Sequence, residues 1–93
     1  MSKNETRVEV VRLQVGTRPP PDAEYVLLIE EDDPNRPSGK RVRAEPNLSV
    51  EGTTWPQDMH LSLAEAVESW RGYMTRRKRS GTIFTRDDSS GVE

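Results

Sequence analysis

Four consecutive basic residues, Arg76-Arg77-Lys78-Arg79, form the densest positive charge in this chain, and Arg41, Arg43 and Arg86 stand in stretches with strand-like alternation. Side chains of this kind neutralise phosphates, the main source of sequence-independent affinity for nucleic acids. Arg71, Arg76, Lys78 and Arg79, supported by Arg41, Arg43 and Arg86, are therefore the candidate contacts for nucleic-acid binding. Two physical points weigh against that use. Successive helical residues project about 100° apart, so no flat partner touches the whole basic run. The run also falls at a helix C-terminus, where the macrodipole favours each cation by about 0.3–1 kcal/mol. Arg77 falls inside the helix's apolar arc, so its stem is expected to pack beside Tyr73 while the guanidinium reaches outward. For the strand arginines the acids Glu30, Glu31, Asp32 and Asp33 offer an alternative. They enter a turn that Lys40, Arg41 and Arg43 leave, so cross-strand ion pairs account for both runs.

Other chemistry finds few residues. Asp33 and Asn35 begin like a calcium loop, but Pro37 stands at the next ligand position, and Ser38 and Ala44 replace the required glycine and glutamate. His60 is the sole histidine and there is no cysteine, which leaves no usual zinc set. His60 and Ser62 could pair as base and nucleophile, but Ser62 has the stronger claim as a helix N-cap. No glycine-rich phosphate loop or nucleophile elbow is present. No catalytic residue, cofactor or metal ligand is therefore assigned, and the chain is not expected to be an enzyme.

The elements that position these residues follow from periodicity. Thr6 to Val15 alternates as a strand, with Val8 and Val10 on one face and Val11, Leu13 and Val15 on the other. Gly16 to Asp22, with Pro19, Pro20 and Pro21, ends it. Glu24 to Glu31 is the most apolar strand, with Tyr25, Leu27 and Ile29 facing one way and Val26 and Leu28 the other. Asp32 to Gly39 reads as a hairpin loop and Lys40 to Ala44 as a short strand. Residues 45–61 form a long connection in which Trp55 and its neighbours are expected to lie over the sheet.

A helix begins at Ser62, where Ser62 and Glu65 form a capping box. Leu63, Ala66, Val67, Trp70, Tyr73 and Met74 share one arc of about 120°, the width of a single buried face. Gly81 stands where a left-handed C-cap is expected, and Thr82 to Arg86 is a last strand.

The fold class is thus α+β: a small β-β-β-α-β domain, an antiparallel meander with one amphipathic helix packed on one face of the sheet. Residues 1–5 are expected to be a disordered N-terminus, 6–86 a single domain, and 87–93 a disordered C-terminal tail. Hydrophobic residues make up 31% and charged residues 32% of the 93 residues, so the core is modest and part of the chain is expected to stay unpacked. The net charge of −2 gives no global attraction to nucleic acid or anionic membrane. The longest apolar run, Tyr25 to Ile29, is far too short to span a bilayer. Without cysteine, and with no apolar leader in the first ten residues, the expected location is cytoplasmic.

One helix shields one sheet face, yet Glu24 to Glu31 is apolar on both. The second face must be covered by residues 45–61, by a second copy or by another protein. The leading expectation is a non-enzymatic protein-interaction or accessory module, with a homodimer joined through the sheet favoured and Val26, Leu28 and Trp55 as candidate interface residues. The alternative is the nucleic-acid binder described above.

Overall fold

The computed structural model describes residues 6–48 and 62–89. Five elements follow in the order β1 (Val8–Leu13), β2 (Tyr25–Asp32), β3 (Lys40–Asn47), α1 (Leu63–Arg76) and β4 (Gly81–Asp87). The four strands form one sheet with α1 on one face, a small α+β domain as the periodicity predicts.

The strand order is β1-β4-β2-β3, which corrects the expected meander. Only β2 and β3 pair antiparallel; β4 inserts between β1 and β2 and runs parallel to both. The length of the β1–β2 connection is the physical reason. Residues 14–24 are too many for a tight hairpin and match the dozen or so residues a parallel crossover needs. The crossover leaves a gap beside β2, the most apolar strand, and β4 fills it.

Between β2 and β3 the turn is held by its own backbone. Asp33 N–H donates to Gly39 C=O at 2.8 Å, Asn35 N–H donates to Asp33 Oδ1 at 3.0 Å, and Gly39 takes φ +77°, a conformation suited to glycine. β3 runs three residues past Ala44, through Pro46. Proline is tolerated there because β3 is a sheet edge.

Ser62 caps α1 in extended conformation, its Oγ accepting from Glu65 N–H at 3.2 Å. The predicted apolar arc is the buried arc: Ala66, Trp70, Tyr73 and Met74 are buried, with Leu63 and Val67 partly so. Beneath them lie Val26, Leu28, Val42 and Ile83. Trp70 and Tyr73 meet edge-on with ring centroids 5.3 Å apart.

The helix ends differently from expectation. Lys78, not Gly81, takes the left-handed position, at φ +56°. Lys78 N–H donates to Thr75 C=O at 3.1 Å and Arg79 N–H to Met74 C=O at 2.9 Å, the paired bonds of a Schellman cap. Gly81 opens β4 instead, at a point of close approach. A Cβ there would lie 3.0 Å from Met74 Cε and 3.2 Å from Glu24 C=O.

Candidate interaction surface

The functional candidates divide between the sheet face away from α1 and the two sheet edges. Strand alternation sends Leu27, Ile29, Phe84 and Arg86 to the face opposite the helix, along with Glu31, Arg41, Arg43 and Glu45. Leu27 and Ile29 have no exposed surface.

The β1–β2 connection is tied to this face, an arrangement the composition did not suggest. Arg86, 9% exposed, donates from Nη1 to Thr17 C=O at 2.8 Å and pairs with Asp88 through Nη2 at 2.8 Å. Arg18 reaches Glu45 at 2.8 Å, Asn47 Nδ2 donates to Ala23 C=O at 2.8 Å, and Pro19 is buried. The triproline segment is therefore a strap drawn over the β2–β3 side of the face. Val26 and Leu28, expected to face a partner, lie beneath α1 with no exposed surface, because the helix covers the even-numbered side of β2. Trp55, like His60, lies outside the described residues.

The arginines of β3 and β4 are engaged in ion pairs. Glu31 accepts from Arg41 Nε at 2.9 Å and lies 3.4 Å from Arg43 Nε. Arg43 Nη1 also donates to Glu45 Oε2, and Glu45 pairs in turn with Arg18. Of the expected cross-strand pairing this row holds Glu31 with Arg41 and Arg43, and it is extended by Glu45 of the same strand as Arg43 and by Arg18 of the strap. Hydrogen bonding to Glu45 raises the Arg43 pKa. Burial alone would raise the Glu45 carboxyl, but the hydrogen bonds from Arg43 and Arg18 outweigh it and hold it below the ordinary carboxylate value. The bond to Asp88 likewise raises Arg86.

The helix end is only partly committed. Arg77 lies over the Tyr73 ring at 5.0 Å, as its place in the arc predicts. Arg79 pairs with Glu24 at 3.1 Å and Arg71 with Glu68 at 3.3 Å, while Arg76 and Lys78 stay exposed. Asp87 ends β4, and Asp88 N–H donates to Glu30 C=O at 2.7 Å. Ser89 donates to Asp87 from hydroxyl and backbone, lowering the Asp87 pKa.

The two sheet edges contrast. The β3 edge carries Pro46, Lys40 and the ion-paired arginines, features that discourage further strand pairing. The β1 edge has no proline, and its charges, Glu9 and Arg12, flank two exposed valines. Val10 is 41% and Val11 39% exposed, on opposite faces, and Val15 just beyond is 68% exposed. Beside Val11 on the face away from α1 lies Phe84, which meets Tyr25 edge-on with centroids 5.8 Å apart.

The backbone of β1 is equally open. Arg7 C=O accepts from Gly81 N–H at 3.0 Å and Arg7 N–H donates to Ser80 Oγ at 2.9 Å, so the main-chain groups of Arg7 point toward β4. Alternation sends those of Glu9, Val11 and Leu13 the same way and those of Val8, Val10 and Arg12 outward. No described strand pairs with that outer side. Sequence reasoning identified the valines but not the edge, which depends on where β4 inserts.

Among the described residues no three His, Cys, Asp or Glu side chains converge as a metal site would require. No helix among them is long and apolar enough to cross a membrane. Comparison with protein-family models, curated proteins and solved structures finds no match to this chain.

Proposed function

We propose that this chain is a non-enzymatic protein-interaction module that recruits an extended segment onto the open edge of β1. The observation that carries the reading is that edge: outward-facing backbone at Val8, Val10 and Arg12, with Val10 and Val11 exposed on either side. An added strand satisfies the backbone groups, and the valines supply apolar contact, the physics of β-strand addition. A protein partner is favoured over a phosphate partner because Arg41, Arg43, Arg79 and Arg86 already hold carboxylates of the same chain.

Selection of extended peptides from a display library on the immobilised chain tests the reading, with Val10→Pro as the counter-target. The Val10 N–H points outward, so proline there removes no hydrogen bond to β4 and blocks only the added strand. Peptides that bind the parent and not V10P, with weak dependence on salt, support the reading. Equal binding to both, or binding of RNA or DNA that collapses as salt rises, overturns it.

A further inference from the structure

We propose that the strand received by β1 is β1 of a second copy, paired antiparallel about a two-fold axis at Val10. This rests on the edge reading above and names its occupant.

A two-fold pair of identical strands must set some residue k opposite itself, and the charges of β1 restrict k. Centring on Glu9 or Arg12 sets like charges directly opposite, which is destabilising. Centring on Val11 requires Gln14 to bond to Val8 of the other copy. Gln14 C=O is already taken, accepting from Thr17 N–H at 3.1 Å and Thr17 Oγ1 at 2.7 Å. Centring on Val10 avoids both problems. Val10 meets Val10, Val8 meets Arg12 and Glu9 meets Val11, with outward groups facing outward groups along Val8–Arg12.

The axis stands perpendicular to the sheet, so both helices lie on one side. The Val10 side chains meet across the axis on that side. On the other side, Val11 of each copy continues the apolar stripe from Phe84. The assembly also closes. The two four-stranded sheets become one, and among the described strands the edges left are the two β3 strands with their Pro46 and charges. An isologous contact of this kind stops at two copies, and among the described strands it removes the edge that carries no proline.

The chain has no cysteine, so one introduced thiol reads the register directly. The Val10–Val10 pair would be hydrogen-bonded, with Cα atoms about 5.5 Å apart, within the Cα range of disulfides. Under mild oxidation Val10→Cys should link copies efficiently, whereas Val15→Cys, exposed but beyond the paired strand, should link them only at the collisional rate. Light scattering of the parent should rise toward twice the 10.6 kDa of one chain as concentration increases. V10P, with an unchanged circular dichroism spectrum, should stay at one.

A parent that remains at one chain mass at millimolar concentration overturns the proposal, as does equal linking at positions 10 and 15. If self-pairing fails while peptide binding is still lost in V10P, the edge reading survives and only the occupant is wrong. If neither is seen, both readings fall.

Discussion

Lys78 occupies a backbone conformation that most side chains avoid, at φ +56° in the Schellman cap of α1. Lys78→Gly should raise stability by about 1 kcal/mol, offset in part by a freer unfolded chain. Thermal unfolding should show the midpoint rising by a few degrees, and no rise would mean that the cap geometry is wrong. Glu45 gives a second prediction. Its carboxyl is held below the ordinary value by Arg43 and Arg18, so its contribution to stability is complete above the unfolded pKa of about 4.3. That contribution is lost as the pH falls through the depressed folded value. Urea unfolding at a series of acidic pH values should show a flatter profile for Glu45→Gln than for the parent. An identical slope would remove Glu45 from the acid-sensitive set. The local residue pairs were legible in the sequence. The Ser62 N-cap, the Arg77–Tyr73 stack and the Glu31–Arg41 pair each depend only on helical spacing or on hairpin register. The left-handed residue was not. Glycine is the favoured choice there, and Gly81 was wanted elsewhere for its close approach to Met74 and Glu24.

Among the elements, the strap carries the strongest consequence. It is tied to the face that holds Leu27 and Ile29, with Pro19 buried, and Arg86 fastens it by bonding Thr17 C=O while held by Asp88. Arg86→Ala leaves a part-buried carboxylate and a carbonyl without this donor, at a cost of about 2–3 kcal/mol. Hydrogen exchange should accelerate in residues 14–24 well beyond the change in α1, and a uniform change would argue against a separate fastening role. The α1 elements were readable because amphipathic period and caps lie within one segment. The strap and the strand order were not, because they depend on which strand the chain places beside β2 after the prolines. A proline-rich stretch of eleven residues reads as a turn, and only its length, compared with that of a crossover, points to parallel strands. The β1 edge depended on the last strand, which the periodicity does not assign to either side of the sheet.

At the scale of the molecule, sheet order runs against chain order. The strand that joins β1 to the rest of the sheet is the last in sequence, and Arg7 finds its partner Ser80 73 residues away. Contacts that distant make folding slow relative to a helical protein of this size, because the loop must close before the pairing stabilises it. Pulse-labelled exchange during refolding should show the β2–β3 hairpin protected before β1. A chain ending at Ser80 should show no cooperative unfolding transition. Simultaneous protection of β1 and the hairpin would contradict this order. The cost falls during synthesis. Until residues 81–87 leave the ribosome, β1 lacks its described neighbour, and a hydrophobic strand waits for a partner that its own chain delivers after every other described element.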